Sequence, residues 1–499
     1  MDRNERAGAK IPLVDVQEVG IVKEVRRGIA KVSGLPSCIY GQLVEFSSGT
    51  KGLVTGFNPH EVLVIVLGDE GNVSIGDTTA AISELLSIPV GNGYLGRIVN
   101  SLGEPIDGKG PIHSDVNMPV FREAPGVMER EPICDQLLTG NKIIDLTIPI
   151  GKGQRELIIG DRQTGKSSIA IDTIINQKDK NVICIYCWIG GPQSALKKVL
   201  HALNNKGALD YTIIVASPAD RSAAEQYLAP YTAAVLGEYF MNSRRDVFVV
   251  FDDLTKHAWM YRQMSLLLER SPGREAYPGD IFYIHSSLLE RAGKMKAEKG
   301  GGSMTFFPIV ETLQGDITGY IQTNLISITD GQIYINSALF REGFKPAIDM
   351  GLSVSRIGNK VQCEAIKEVS KGLRLEYARY REMLRLTRLR TRLSDEALVQ
   401  MRRGETLQEL LKQPNNQPIC LEEEIMLFYV FRRKILEQFP HDLQKEFSAG
   451  FFKYVSDNDP ALIGMLKGRH ELTREIKASL DKSAVYFLKQ LSAKKEVRQ

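Results

Sequence analysis

From residue 14 to residue 84 the chain alternates short β-branched runs (EVGIVKEV, GIAKVSGL, GQLVEFS, GLVTGF, EVLVIVLG) with Gly, Asn-Pro and Ser-Gly turns at close intervals. Short apolar runs between turn residues predict strands, and this many in so short a span predict a small all-β barrel over residues 1–84. From about residue 85 the texture changes. Apolar runs such as ELIIG, NVICIYCWIG, YTIIVAS and VFVVFDD are separated by stretches long enough for crossover helices. That pattern predicts an α/β domain with a mostly parallel sheet over 85–362. Beyond 362 the β-branched runs disappear and helical periodicity takes over, as in EAIKEVSKGLRLEYARYREMLRLTRLRTRLSDEALVQMRR and EEEIMLFYVFRRKILEQF. A helical bundle is predicted for 363–499, broken into two halves by KQPNNQP at 412–418, where Pro and Asn favour a turn.

Composition narrows the field more than it identifies anything. A length of 499 residues predicts several domains, and 63 basic against 60 acidic side chains leave no global field to attract nucleic acid or an anionic membrane. Runs such as VFVVF are far too short to span a bilayer, so any membrane link is expected to run through partners. The N-terminus MDRNERAGAK is charged and lacks the apolar core of a secretory signal. Six scattered cysteines fit a reducing compartment. Cys184 and Cys187 have C-x-x-C spacing, but they sit in an apolar run with no second Cys/His pair nearby, and core packing is the expected role.

The chemistry begins at ELIIGDRQTGKSSIA, where Gly160 to Ser167 reads G-x-x-x-x-G-K-S. Gly160 and Gly165 are expected to let the backbone turn its amides toward phosphates, with Asp161, Arg162, Gln163 and Thr164 forming the turn between them. Lys166 would reach the terminal phosphates and Ser167 would ligate Mg²⁺. Asp252 ends the later apolar strand VFVVFDD, where it would hold that Mg²⁺ through water. The hydrolytic part is missing from its expected place. No Asp or Glu occurs from Asn181 to Leu209, and the strand after the phosphate loop ends in Gly190, Gly191, Pro192 and Gln193. The site therefore reads as one that binds without turnover, with Asp253 as the rival candidate for a base. Arg356, in the loop-like PAIDMGLSVSRIG, is either an ordinary surface ion-pair partner or an arginine finger, the always-charged fork that stabilises developing charge on a γ-phosphate across a subunit boundary.

The runs GDRQTGKSS, VVFDDLTKHAWMYRQMSLLLERSPGREAYPGDIFYIHSSLLERAGK, NLISITDGQIYI and PAIDMGLSVSRIG closely resemble the α subunit of the F-type ATP synthase, with likeness from about residue 14 almost to the end. The resemblance implies a multi-domain α/β chain: an N-terminal β-barrel, a central RecA-like phosphate-loop domain and a C-terminal α-helical bundle. It implies an alternating ring of α and β subunits around a γ central stalk, braced by peripheral stalk subunits, with catalysis in β. The α site would bind Mg²⁺ and ATP or ADP without turning it over. By motif, Arg356 is similar to the arginine that reaches the neighbouring β site, with Ser353 beside it. Gln163, Lys166, Ser167 and Asp252 are similar to nucleotide and metal contacts, and Phe340, Lys345, Pro346 and Gln413 to the adenine pocket. The implied location is peripheral, at the cytoplasmic face of a bacterial membrane or, less in keeping with the residues, the stromal face of a plastid membrane.

Three departures accompany the resemblance. IGGP replaces the usual IGQK after the strand, Lys345 replaces an arginine, and little precedes VDVQEVG, where the family carries an extension that docks the peripheral stalk. Segment 374–403 is also unusually basic, with nine arginines against four acids. Its plain reading is a solvated helix face; contact with an acidic partner is the alternative. A different class stays open at this point, an autonomous RecA-like hexameric ATPase such as a secretion ATPase or RNA translocase, catalytic in its own phosphate loop. So does a scaffold with a vacant pocket, on the strength of Gly191 and Pro192.

Overall fold

The computed structural model of the chain describes residues 18–26, 28–68, 70–388 and 395–496. The charged N-terminal stretch and the middle of the arginine-rich segment lie outside the described residues.

The predicted barrel is present. Its strands are β1 (Val19–Arg26), β2 (Ile29–Ser33), β3 (Gln42–Phe46), β4 (Lys51–Phe57), β5 (Val62–Leu67) and β6 (Thr78–Leu85), closed in the order β1-β2-β5-β4-β3-β6. All its pairings are antiparallel, and the β1–β6 pairing removes the free edges. Alternation sorts the side chains. Val22, Val32, Val44, Val54 and Val64 fill the lumen, whereas Ile29, Leu53, Leu63 and Ile65 join the core of the next domain. The lumen is tight enough that a Cβ at Gly52 would fall 2.4 Å from Val64 Cγ1.

The central domain is built on a largely parallel sheet. A two-stranded ribbon of β7 (Ser87–Val90) and β9 (Val116–Pro119) leads in, with the short β8 (Ile98–Val99) between them in sequence. Then come β10 (Leu157–Asp161), β11 (Val182–Ile189), β12 (Thr212–Ser217), β13 (Asp246–Asp252), β14 (Gly293–Lys294), β15 (Ser303–Thr312), β16 (Gly331–Ile335) and β17 (Val354–Ser355). The sheet order is β17-β16-β10-β15-β13-β11-β12-β8, with β14 pairing β15. Pairings from β16 through β8 are parallel. Helices cover both faces, so β11 is buried at every position, which is why these strands read as continuous apolar runs. Cys184 and Cys187 face opposite sides of the sheet in separate core clusters, an arrangement that cannot hold one metal ion between them.

Between Glu364 and Glu496 the described residues of the C-terminal domain form helices joined by loops. At its centre the helix Leu421–Arg432 buries Ile425 through Phe431. The break at KQPNNQP is a loop that reaches back to the central domain: the Asn416 amide donates to Asp172 Oδ1 at 2.7 Å and Gln413 N to Lys345 O at 2.9 Å. Among the described residues, no helix is long and apolar enough to cross a membrane.

Candidate nucleotide site

In a parallel sheet ligands bind at the carboxyl ends of the strands, and the candidate residues gather there. Strand β10 ends at Asp161, and the helix Lys166–Ile175 begins after a turn in which Gln163 takes φ 59° and Gly165 φ 101°. Gly165 supplies the left-handed backbone as expected. Gly160 does not: its Cβ would lie 2.7 Å from Ile335 O, so close approach of β10 to β16 requires the glycine there. Gln163 takes the other left-handed position.

Lys166 is buried, and its ammonium donates to the carbonyls of Gly160 at 2.9 Å and Asp161 at 2.6 Å. Burial lowers its pKa, and the charges of Glu311, Asp253, Asp252 and Asp161 act against that shift. Asp161 carries no phosphate-facing role through its side chain. It accepts from Thr312 Oγ1 and Gly315 N, each at 2.7 Å, and from Ser337 Oγ, which ties the loop to the ends of β15 and β16. Thr164 Oγ1 donates back to Asp161 O at 2.7 Å and sets the turn.

Ser167 Oγ donates to Asp252 Oδ2 at 2.6 Å, and the buried Tyr186 hydroxyl donates to the same oxygen at 2.5 Å. Burial, reinforced by the Asp252 charge, raises the Tyr186 pKa well above the phenol range, so the group stays a donor. A serine hydroxyl next to a carboxylate at the open end of a sheet is a hard oxygen donor set of the kind that suits Mg²⁺. When bound there, Mg²⁺ supplies charge neutralisation for the phosphates.

Asp253 is engaged elsewhere. It caps the helix Leu254–Leu267 by accepting from Lys256 N at 2.9 Å and pairs with Lys256 Nζ at 2.9 Å. Burial raises its pKa to about 6 despite that lysine, and Lys256, lowered by burial, is raised on balance by Asp253, Glu311 and Asp252 acting together. Both values move up, which holds the lysine charged while desolvation still dominates at the carboxyl.

Glu311 was not singled out by sequence reasoning, and it belongs to this site. It lies one residue before the end of the apolar strand β15, sits across from Gly160 in the β10–β15 register, and pairs with Arg162 Nε at 2.6 Å. Its position at the tip of SMTFFPIVET repeats the signal that marked Asp252 at the tip of VFVVFDD.

A cleft lined by Asn141, Thr164, Gly165, Asp172, Phe340, Lys345, Pro346 and Gln413 opens beside the loop. The Lys345 ammonium lies 4.7 Å over the Phe340 ring. Gln413 is fixed within the protein: its amide donates to Gly140 O and Gln417 O at 2.7 and 2.9 Å and accepts from Lys142 N at 3.2 Å. It shapes the wall and leaves little to offer a base directly. Asp172, in the same cleft, is also new, and burial raises its pKa to about 7.

Arg356 and Ser353 lie away from this cleft, on the β17 edge of the sheet. Arg356 is exposed; its backbone N donates to Asp330 O at 2.8 Å, its Nη2 to Ile326 O at 3.3 Å, and among the described residues no carboxylate pairs with it. Ser353 differs from the expectation of a group that acts beside it. It is fully buried, donates to Asp349 O at 2.7 Å and accepts from Tyr334 N at 2.9 Å, so it anchors the loop in its own chain. Some of the basic segment is structural as well. Arg374 binds the carbonyls of Met350 and Ser353, Arg381 pairs with Glu342 at 3.0 Å, and Arg403 with Glu376 at 2.9 Å.

Comparison with known families agrees along nearly the whole chain. Residues 15–79 match the ATP synthase alpha/beta family, beta-barrel domain, residues 140–355 its nucleotide-binding domain and residues 362–487 the ATP synthase alpha/beta chain, C terminal domain. ATP synthase subunit alpha of Caldanaerobacter subterraneus subsp. tengcongensis is 47% identical over 97% of this chain and 96% of the relative. That of Clostridium botulinum strain Langeland is 47% identical over 94% and 93%. With the phosphate loop, the aspartate-tipped strand and this end-to-end likeness together, the chain belongs to the ATP synthase alpha/beta family, among its alpha subunits.

Proposed function

We propose that this α subunit holds a magnesium nucleotide without cleaving it and contributes Arg356 to the catalytic site of an adjacent β subunit. The observation that carries the reading is the engagement of the acidic groups around Lys166. Asp161 is hydrogen bonded to three donors, Asp252 to Ser167 and Tyr186, Asp253 to Lys256, and Glu311 to Arg162. Each is already held by a protein donor, which argues against its orienting an attacking water, the step that hydrolysis by a phosphate-loop site requires. The loop amides, Lys166 and the helix N-terminus would grip the phosphates, Ser167 and Asp252 would hold Mg²⁺, and Phe340, Lys345 and Pro346 would flank the base of ATP or ADP.

Arg356 supports the second half of the reading. It is a permanently charged fork, exposed, with no carboxylate in direct ion-pair contact among the described residues, on a loop whose geometry Ser353 fixes from beneath. The partners are β subunits in an alternating ring, a γ stalk and peripheral stalk subunits, the complex being peripheral on the cytoplasmic face of a bacterial membrane. Domain limits at 1–84, 85–362 and 363–499 go with it. The test is calorimetry and steady-state assay on the purified full-length chain. Magnesium-dependent ATP binding with negligible turnover is expected; brisk cleavage in a preparation free of β would sink the proposal.

A further inference from the structure

Strand β11 carries a tryptophan beside the aspartate that ends β13. Trp188 stands across from Asp252 in the parallel β11–β13 register and shares one core cluster with Tyr186 and with Ile169 of the phosphate-loop helix. Its indole is only 6% exposed. It stacks on Tyr186 at 6.4 Å, the same phenol that donates to Asp252. Lys256 Nζ lies 5.9 Å over the ring, and Nε1 donates to the Gly191 carbonyl at 3.3 Å.

Gly191 and Trp188 are a matched pair. A Cβ at 191 would fall 2.2 Å from Cζ2 and 2.6 Å from Cε2 of the indole, so the ring occupies the volume in which any side chain at 191 would begin. We propose that the Trp188 indole is the wall at the terminal-phosphate end of this pocket, closing with an apolar surface the position beside Asp252 from which water would attack. An indole has one donor and no acceptor, and that donor is given to Gly191 O. The ring can therefore neither orient a water nor take its proton. The stack on Tyr186 and the cation above it hold the ring in place.

This inference rests on the reading that the site binds without turnover, and its test separates the two. The chain has two tryptophans, so Trp259→Phe leaves Trp188 as the sole indole. MgATP and MgADP are titrated into this full-length variant while equilibrium dialysis measures binding independently. Both nucleotides are expected to bind, with MgATP changing the Trp188 emission several-fold more than MgADP, because only the triphosphate brings charge to the ring. Equal or absent emission changes with both nucleotides bound overturn the wall and leave the binding site standing. No binding by dialysis overturns the site and the wall together; binding with steady turnover overturns the non-hydrolytic reading. Trp188→Ala that still binds MgATP is expected to cleave it several-fold faster than the parent. Unchanged slow cleavage overturns the water-closing role.

Discussion

Tyr186 and Asp252 meet at 2.5 Å beneath the phosphate loop, on the carboxylate oxygen that also receives the Ser167 hydroxyl. The phenol is fully buried and has its pKa pushed far up by that burial, so it acts as a fixed donor that sets the orientation of the carboxylate. An outer partner of this kind aligns a metal ligand without touching the metal, and its loss typically weakens metal affinity by about 10–100-fold. Tyr186→Phe removes one oxygen and leaves the stack on Trp188. The expected outcome is a magnesium requirement for nucleotide binding shifted upward by roughly that factor, with metal-free binding little altered. Titrating Mg²⁺ at fixed nucleotide in wild type and variant measures it.

Arg356 is anchored through its backbone and one long contact to Ile326 O, so truncating it leaves few contacts in its own chain to lose. Arg356→Ala is expected to leave nucleotide binding by this subunit and ring assembly unchanged. Turnover of the assembled α/β complex should fall by the roughly 10³- to 10⁵-fold typical of an arginine finger. Steady-state ATPase assays of reconstituted rings decide this, and near-normal turnover would refute the assignment.

What the chain disclosed on reading was local. The phosphate loop, its flanking strand and helix, and Asp252 at the tip of VFVVFDD are recognisable because each signal lies within one element and its neighbour. The barrel and the helical bundle followed from their apolar periodicities for the same reason. Relationships between distant elements were not legible. Gly160 looked like a phosphate-turning glycine, yet the strand that demands it is β16, far along the chain. Glu311 enters the site only through the β10–β15 register, and the Gln413 amide is tied up by Gly140 and Lys142 from the other side of the domain boundary. Ser353, a neighbour of Arg356 in sequence, points into the core because its hydroxyl bridges Tyr334 and Asp349. No short-range pattern distinguishes an inward serine from an outward one in so irregular a loop.

Asp172 gives a pH signature. Burial raises its pKa from the ordinary 3.8 to about 7, with the Asn416 amide and the Lys206 charge pulling the other way. A carboxyl group that holds its proton more tightly folded than unfolded binds more protons in the native state between those values. Its contribution to stability is complete below the lower value and is lost as pH rises through the upper one, at up to about 1.4 kcal/mol per pH unit. Asp172→Asn keeps an acceptor for Asn416 N and abolishes the titration. Wild type and variant are expected to have similar unfolding midpoints near the acid end of the window, with the variant gaining on wild type as pH approaches neutrality. Thermal unfolding across that range checks the sign; a variant that loses ground with rising pH would contradict it.

Asp253 separates a structural carboxylate from a catalytic base. Its side chain caps the helix Leu254–Leu267 and pairs with Lys256 from a position only 1% exposed. Asparagine still accepts from the Lys256 amide, so Asp253→Asn is expected to fold and to bind nucleotide. Alanine removes the cap and the lysine's partner together, and Asp253→Ala should lose at least the roughly 0.5–2 kcal/mol that a missing helix cap costs. The order of stabilities, wild type above Asn above Ala, can be read from thermal unfolding. A base at this position predicts something else: turnover by the isolated wild-type chain that vanishes in Asp253→Asn. Because the carboxylate already faces a capped helix and a lysine, the expected turnover of the isolated chain is negligible in all three proteins, and the substitution registers in stability alone.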